Sequence, residues 1–276
     1  MLKSNEDVLI SSKPFLRWAG GKSWLIKHLS NIKITDFNNY HEPFLGGAST
    51  YFYLSPPKKS FLSDLNEDLI ETYIQVRDNA EEVIKRLKTF ENSAEFYYEI
   101  RSSNFNNAID KAARFIYLNQ TSYNGIYRVN LKGVYNVPFG YRTKDYINEN
   151  SIMSAQEALS NATIKHGDFY NIVDNVFRGD LVFLDPPYTV SHNLNGFIKY
   201  NEKIFSLDDQ IRLAKLIDEI KLKGAFYILT NAAHKTIEKI FDKGDRKLIL
   251  NRASLIGGLK STRGQTSEFI FTNTDL

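Results

Sequence analysis

The 276-residue sequence contains no cysteine. Disulfide bonds, thiolate-bound zinc and iron–sulfur clusters all depend on cysteine, so none of them can stabilise this fold or serve its function. A thiol nucleophile is excluded for the same reason. Any chemistry that the chain performs must therefore use its oxygen and nitrogen groups.

Long apolar runs are also missing, because no segment approaches the length needed to cross a membrane. The first residues, MLKSNEDVLISSKPF, lack the basic and then apolar pattern of a signal peptide, which predicts a cytoplasmic protein with no membrane partner. The histidines lie far apart without the spacing of metal ligands, and we therefore predict no metal site. These histidines are His28, His41, His166, His192 and His234.

The net charge of the chain is only +3, but it is distributed unevenly. Between residues 101 and 144 there are seven basic residues and one acid, a net charge of +6 that leaves −3 for the rest. Eight aromatic residues are interleaved with these charges. Basic side chains suit phosphates and flat rings suit bases, so the segment favours nucleic-acid binding. A solvated basic face over an aromatic core is the plain alternative.

Short β-like runs alternate with amphipathic helical stretches, which indicates an α/β sheet. The predicted strands cover residues 40–44, 59–63, 162–165, 181–184, 225–230, 247–251 and 267–272. The predicted helices cover residues 23–30, 48–54, 67–77, 80–90, 94–102, 108–119, 154–159, 207–222 and 235–241. The long interval between the second and third strands holds helices and then an irregular stretch, so we predict a subdomain inserted into the sheet.

A glycine pair follows a tryptophan in Phe15-Leu-Arg-Trp-Ala-Gly-Gly-Lys-Ser23. The end of this motif resembles a phosphate loop, but that loop needs a glycine five positions before Gly21, where this chain has Leu16. A nucleoside triphosphatase is therefore not indicated. Trp18 and Lys22 could instead grip a ligand at a flexible turn, although a glycine turn beside a packed tryptophan explains the pattern equally well.

A second glycine turn occurs in Glu42-Pro-Phe-Leu-Gly-Gly-Ala-Ser-Thr50, where a predicted strand runs into a helix. Small residues at such a turn allow a nucleoside to approach the backbone at the carboxyl end of a strand. Asp64 ends the next predicted strand, where an acid can accept hydrogen bonds from both hydroxyls of a ribose. The alternative is that Asp64 only caps the helix that begins near Glu67.

The third motif is VFLDPPYTV, residues 182–190, in which an apolar run meets two prolines. A strand cannot continue through Pro186 and Pro187, so the chain must leave the sheet at Asp185 in a restricted conformation. The Asp185 carboxylate, the Pro186 carbonyl and the Tyr188 ring together suit a flat ring that carries an exocyclic amino group. A strand stop with a solvent-facing acid and a packed tyrosine is the alternative.

In this order, the motifs resemble those of the Dam-type DNA adenine methyltransferases. The similar segments are LRWAGGK (16–22), EPFLG (42–46), SDLNEDL (63–69), YNGIYRVN (123–130), YNVPFG (135–140) and DPPY (185–188). The resemblance implies a Rossmann-like α/β sheet that binds S-adenosylmethionine, with an inserted, mainly helical target-recognition domain. It implies a catalytic domain at residues 1–66 and 151–276 and a DNA target-recognition domain at residues 67–150.

The resemblance also implies roles for individual residues. The catalytic positions around a flipped adenine correspond to Asp185, Pro186 and Tyr188. The cofactor-binding positions correspond to Trp18, Lys22, Phe44, Gly46, Asp64 and Asp185. The positions that wedge the duplex and read its bases correspond to Arg17, Tyr123, Asn124, Ile126, Arg128 and Pro138. One departure is the run Phe44-Leu-Gly-Gly-Ala48, where many relatives carry F-x-G-x-G.

The resemblance therefore implies transfer of a methyl group to the N6 amino nitrogen of adenine in double-stranded DNA, with GATC as the expected site. A cytosine C5 methyltransferase is excluded because that reaction needs a cysteine nucleophile. A cytosine amino (N4) methyltransferase and a catalytically silent DNA-binding regulator remain alternatives. No obligate protein partner is implied, and a cognate restriction endonuclease is left open.

Overall fold

The structure is a computed structural model that describes residues 13–22, 25, 37–56, 58–130, 132–142, 145–188, 205–253 and 265–274. The chain divides into two compact units. Unit 1 comprises residues 1–28 and 45–167, and unit 2 comprises residues 29–44 and 168–276. Among the described residues, no helix is both long and apolar enough to cross a membrane.

The described residues contain seven strands that form one mixed sheet. They are β1 (Tyr40–Glu42), β2 (Ser60–Asp64), β3 (Ala162–His166), β4 (Leu181–Leu184), β5 (Phe226–Ala232), β6 (Arg246–Ala253) and β7 (Gln265–Thr272). Their order in the sheet is β3-β2-β1-β4-β5-β7-β6. In unit 1, β2 and β3 are parallel. In unit 2, β1, β4 and β5 are parallel, and β7 lies antiparallel between β5 and β6. The predicted α/β class is confirmed.

Every described α-helix except the first begins after a residue whose side chain caps it. The helices of unit 1 are α1 (Ser49–Leu54), α2 (Glu67–Leu87), α3 (Ala94–Ser102), α4 (Ala108–Thr121) and α5 (Glu149–Leu159); those of unit 2 are α6 (Leu207–Leu222) and α7 (Lys235–Phe241). Ser93 accepts a hydrogen bond from the amide of Phe96 at the start of α3, and Ser206 forms a capping box with Asp209 at the start of α6.

Most of the predicted elements are confirmed, and residues 94–102, 181–184, 207–222 and 235–241 have the predicted bounds. The predicted helices 67–77 and 80–90 form the single helix α2, which is kinked at Asn79, where φ is −141°. Helix α5 begins five residues earlier than predicted, because Asn148 caps it by accepting from the amide of Ser151. Apart from Leu25, the predicted helix 23–30 lies outside the described residues.

Strand β4 is buried along its whole length, which explains its uninterrupted apolar sequence. Val182 and Leu184 pack in one hydrophobic cluster with Leu213 and Ile217 of α6 and with Leu229 of β5. The chain therefore leaves a rigid, covered strand at Asp185, so the positions of the next residues are closely determined by the sheet.

The predicted target-recognition domain, residues 67–150, lies inside unit 1 together with β2 and β3. In this unit α2 packs against both α4 and α5. The described residues between Asp64 and Ala162 contain helices and isolated bridges but no strand. The boundaries of the compact units differ from those of the predicted functional domains, which stay a prediction.

Candidate active site

The glycine turn at Gly46 and Gly47 in unit 1 lies against the side chain of Trp18. Gly46 has a φ of +47°, and a Cβ atom placed on it would lie 2.7 Å from Trp18 Nε1. A Cβ atom on Gly47 would lie 2.8 Å from the Cβ of Trp18. Glycine is therefore needed at both positions for the indole to approach the turn. The structure brings together Trp18 and Gly46, two of the predicted cofactor residues.

The turn that carries Trp18 is closed by its own hydrogen bonds. The amide of Gly21 donates to the carbonyl of Trp18 at 3.2 Å, and the buried ammonium group of Lys22 donates to the carbonyl of Gly20 at 2.9 Å. The indole also stacks on Tyr127, with 5.7 Å between ring centroids and 20° between ring planes. Trp18 is thus held in one orientation, while its half-buried side chain keeps part of its surface open.

Asp64, at the end of β2, anchors the glycine turn. Its carboxylate accepts hydrogen bonds from the amides of Gly46 and Asn66, each at 3.0 Å. The carbonyl of Gly46 accepts from the buried hydroxyl of Tyr73 at 3.0 Å, which fixes the turn from its other side. The cap of α2 is Asn66, which accepts from the amide of Leu69 at 3.1 Å. The alternative that Asp64 only caps this helix is therefore wrong.

The chemistry of Asp64 fits a nucleoside ligand. Burial raises the pKa of its carboxyl group above the ordinary value, and the backbone amides of Gly46 and Asn66 oppose that rise. Oδ2 accepts from Gly46 and Oδ1 from Asn66, and the two oxygens of a carboxylate together offer about four lone-pair sites, so the group can accept from further donors. Two ribose hydroxyls are donors of this kind, so the residues present fit the nucleoside part of S-adenosylmethionine.

Ala48 occupies a backbone conformation that favours glycine. Its φ is +53°, at the residue before α1 and at the second glycine position of the F-x-G-x-G pattern. We expect Ala48→Gly to raise the free energy of unfolding by about 0.5–1 kcal/mol, because relief of the left-handed strain exceeds the added chain entropy. Chemical unfolding measures the change. Ala155→Gly, inside α5, is the control and should be destabilising; a similar loss at Ala48 would contradict the prediction.

Phe44 and Asp185 lie at the same edge of the sheet in unit 2. They follow the parallel neighbours β1 and β4, whose carboxyl ends meet at that edge. The Phe44 ring stacks on Phe169, with centroids 5.2 Å apart, and meets Phe205 edge-on at 5.6 Å. Phe44 is therefore held by aromatic packing at the edge where Asp185 leaves the sheet.

The Asp185 side chain is oriented by the neighbouring strand. The hydroxyl of Thr230, a buried residue of β5, donates to Asp185 Oδ1 at 2.7 Å. Pro186 and Pro187 follow at once and cannot donate to a strand ladder, so the chain turns out of the sheet here. Asp185 and Tyr188 are both half-buried. The alternative of a fully solvent-facing acid is not what the structure shows.

The Tyr188 side chain is tied to a residue that sequence analysis missed. Its hydroxyl donates to Glu268 Oε2 at 2.5 Å, and Glu268 is fully buried on β7. An available signal was the acid directly before the apolar run Phe269-Ile-Phe271 of a predicted strand. Thr230 was missed as well, because nothing in its local sequence distinguishes it from an ordinary strand residue. Both residues hold predicted catalytic side chains.

Five of the predicted DNA-binding residues lie on one folded segment of unit 1, which we call the recognition hairpin (residues 122–139). Antiparallel bridges join Ser122 to Phe139 and Val129 to Tyr135. The hairpin carries Tyr123, Asn124, Ile126, Arg128 and Pro138. The amide of Tyr123 donates to the carbonyl of Pro138 at 2.9 Å, and the Tyr123 ring is 56% exposed. The structure thus gathers these residues into one surface.

Arg17, the sixth predicted DNA-binding residue, packs on the same hairpin. Its backbone exchanges two hydrogen bonds with the side chain of Asn119, at 2.8 and 2.6 Å. Gly125 has a φ of +64°, and a Cβ on it would lie 2.5 Å from Arg17 Nε. Burial lowers the pKa of Arg17. Its Nη1 atom is buried and has no hydrogen-bond partner among the described residues. A buried donor without a partner is destabilising, so an acceptor from a ligand would stabilise this arrangement.

Arg128 is exposed but oriented. Its Nε donates to Asn136 Oδ1 at 2.8 Å, and the amide of Asn136 donates to the carbonyl of Arg128 at 3.2 Å across the hairpin. The Nη2 atom of Arg128 also donates to the carbonyl of Asn136 at 3.4 Å, so the plane of the guanidinium group is fixed while the residue stays exposed. An arginine held in this way suits a bidentate acceptor such as the edge of guanine.

Comparison with known proteins agrees with these features. The family model for D12 class N6 adenine-specific DNA methyltransferases matches residues 18–254. A Type II methyltransferase of Lactococcus lactis subsp. cremoris is 36% identical, over 96% of each chain. A Type II methyltransferase of Methanocaldococcus jannaschii is 35% identical, over 80% of this chain and 84% of the other. A DNA adenine methylase of Serratia marcescens is 31% identical, over 79% and 82%.

The fold and the matched family define an α/β methyltransferase. The chain belongs to the D12 class N6 adenine-specific DNA methyltransferase family. Its reaction is therefore methylation of the exocyclic amino nitrogen of adenine in DNA, and enzymes of this kind use S-adenosylmethionine as methyl donor. The family decides against the two alternatives, a cytosine N4 methyltransferase and a silent DNA-binding regulator.

Proposed function

We propose that Asp185, Pro186 and Tyr188 hold the flipped target adenine. The observation that carries this assignment is the pair of hydrogen bonds that fixes Asp185 and Tyr188 just past β4, from Thr230 and Glu268. The Asp185 carboxylate and the Pro186 carbonyl accept hydrogen bonds from the adenine amino group, and Tyr188 stacks on the ring. These are the acceptors and the flat surface that an amino-bearing base requires.

The same contacts promote the reaction. The lone pair of the adenine amino nitrogen is delocalised into the ring, so the nitrogen is a poor nucleophile. Acceptance of its hydrogen bonds by Asp185 and Pro186 favours the tetrahedral nitrogen of the transition state, and Tyr188 fixes the ring for in-line attack. S-adenosylmethionine would supply the methyl group to the amino nitrogen that Asp185 and Pro186 hold, and the proton released from that nitrogen would pass to water. The methylated nitrogen is acidic before that release, so no strong base is needed.

The proposed cofactor site comprises Trp18, Lys22, Phe44, Gly46, Asp64 and Asp185. S-adenosylmethionine supplies the sulfonium methyl group when it is bound. Asp64 accepts hydrogen bonds from the ribose hydroxyls, and the glycine turn at Gly46 allows the nucleoside to approach the backbone. What supports this assignment is the anchored carboxylate of Asp64 and the fixed indole of Trp18 beside the same turn.

Asp64→Asn should weaken S-adenosylmethionine binding by about 10- to 100-fold, because the amide replaces one acceptor oxygen with a donor that faces a backbone N–H. Isothermal titration calorimetry without DNA measures this change directly. Asp68→Asn, four residues further on the exposed start of α2, is the matched control and should bind normally. Equal affinity of the Asp64 and Asp68 variants would remove Asp64 from the cofactor site.

We further propose that the recognition hairpin and Arg17 contact double-stranded DNA and that the site read is GATC. Tyr123 and Asn124 form an exposed turn suited to wedge into the duplex, with Pro138 beside them. Arg128 is the candidate for reading guanine, because Asn136 fixes its guanidinium plane. The GATC assignment is supported by the resemblance of this segment to the Dam-type enzymes.

Methylation mapping tests the proposed function as a whole. The protein is incubated with S-adenosylmethionine and unmethylated genomic DNA, and modified bases are then located by sequencing. We expect N6-methyladenine within GATC. A different adenine site would replace the GATC proposal alone, whereas methylcytosine would overturn the adenine-binding arrangement around Asp185. If the enzyme is part of a restriction–modification pair, the mapped site also defines what its endonuclease must cut.

A further inference from the structure

One face of the sheet supplies both hydrogen bonds to the predicted catalytic side chains. Thr230 of β5 is paired with Ile270 of β7, and Ala232 is paired with Glu268. Directly paired residues of antiparallel strands project to the same face, and so do residues two apart on one strand. Thr230 and Glu268 are therefore diagonal neighbours on one face, and they bind Asp185 and Tyr188 respectively.

Glu268 is an acidic residue at a position that is unfavourable for a charge. It is fully buried in a strand whose next residues, Phe269, Ile270 and Phe271, are buried hydrophobics. A buried carboxylate destabilises a fold unless donors satisfy it, and an apolar pair at such a position is often as stable or more stable. Stability alone therefore does not explain an acid here. Its hydrogen bond to the hydroxyl of Tyr188 gives it a second purpose.

Tyr188 needs an anchor because it lies four residues past the end of β4, outside the strand ladder. The torsion angle about the bond between Cβ and the tyrosine ring has a broad distribution, so the backbone alone does not fix the ring plane. The hydroxyl lies at the far end of the ring, where a bond to a rigid strand restrains that plane most effectively. Strand β7 is such a support, because it pairs with β5 on one side and β6 on the other.

We propose that Glu268 is a positioning residue for adenine methylation, which acts by holding the Tyr188 ring in the plane that stacks on the flipped base. The inference rests on the proposed role of Tyr188. Glu268 touches neither substrate in this proposal and acts only through the tyrosine hydroxyl. Small misplacements of an orienting group reduce rates strongly, so loss of the anchor should lower the methyl-transfer rate rather than cofactor affinity.

A double-mutant cycle tests the proposal by single-turnover methylation of a duplex at saturating DNA and S-adenosylmethionine. Tyr188→Phe removes the donor, and Glu268→Met removes the acceptor with a side chain of similar length. Each should lower the rate by about 10-fold, and the double variant should be no slower than the worse single variant. Glu268→Gln keeps an acceptor oxygen and should retain a rate within about threefold of the parent.

Tyr227→Phe is the matched control, because it removes another tyrosine–carboxylate hydrogen bond of unit 2, from Tyr227 to Asp245 at 2.8 Å. It should leave the rate unchanged. Multiplied effects in the double variant, or a parental rate for Glu268→Met, would overturn the positioning role.

If Glu268→Met does not fold, the rates of Tyr188→Phe and Glu268→Gln still test the proposal. A parental rate for Tyr188→Phe, or a severe loss for Glu268→Gln, contradicts it. Tyr188→Ala separates the two levels, since full activity there would overturn the proposed function itself.

Discussion

Asp185→Ala should lower the single-turnover methylation rate by about 10²- to 10³-fold, the largest catalytic loss expected from one substitution. The variant removes an acceptor whose hydrogen bond to the adenine amino group strengthens as the nitrogen becomes tetrahedral. The effect belongs to the chemical step, so it should persist at saturating DNA and S-adenosylmethionine. Quench-flow or manual single-turnover assays with a labelled methyl group measure it.

Asp185→Asn is the matched variant for this prediction. Its amide oxygen can still accept one hydrogen bond, either from Thr230 or from the substrate, so we expect an intermediate rate. Asp185 is half-buried, and its loss leaves the Thr230 hydroxyl without that acceptor. Thermal unfolding is therefore used to establish that both variants are folded. Near-parental turnover of folded Asp185→Ala would remove the residue from the catalytic site.

Arg128→Ala should reduce discrimination at one G·C pair of the recognised site by about 5- to 150-fold, the range of a lost bidentate contact of about 1–3 kcal/mol. Methylation of the cognate duplex should slow, while methylation of duplexes altered at that single pair should change little. Competition assays with each singly altered duplex measure the specificity profile. Discrimination at the other positions should be retained, because those bases are read by other side chains.

Lys132→Ala controls for charge, since it removes the same unit of positive charge from an exposed position of the same hairpin. A cation that contacts only phosphate should affect all duplexes alike and reduce the salt dependence of binding. Asn136→Ala should resemble a weaker Arg128 variant, because it removes the side-chain acceptor of Arg128 Nε and leaves only the longer bond to the backbone carbonyl. Uniform loss across all duplexes for Arg128→Ala would show that this arginine binds backbone rather than base.

The architecture could be predicted largely from local pattern. The continuous apolar run 181–184 predicted a strand covered on both faces, and β4 is buried at every residue. Helix α6 was predicted with its observed bounds from an amphipathic stretch, and in the structure Ser206 and Asp209 form a capping box at its start. The continuity of α2 was predicted less well: the sequence indicated two helices, 67–77 and 80–90, whereas the structure has one helix that is kinked at Asn79.

The contacts around Asp64 illustrate the limit of local reasoning. The sequence placed an acid eighteen residues after Gly46, and both a ribose ligand and a helix cap explained it. The structure decided against the cap, since Asn66 fills that position and Asp64 binds the amide of Gly46. A hydrogen bond between residues far apart in the chain depends on how β2 meets the glycine turn, which no local window contains.

By itself, the sequence determined the absence of thiol chemistry, the alternating α/β pattern, the exit of the chain from the sheet at two prolines and the motifs that match the family. These follow from residue identity and short-range sterics, which are properties of the chain alone. The tertiary structure alone identified Thr230 and Glu268, and it alone placed Arg17 over Gly125 and Asn136 beside Arg128. Strand register and hairpin pairing bring distant side chains within hydrogen-bond reach, and these arrangements are set by packing of the whole fold rather than by any local signal.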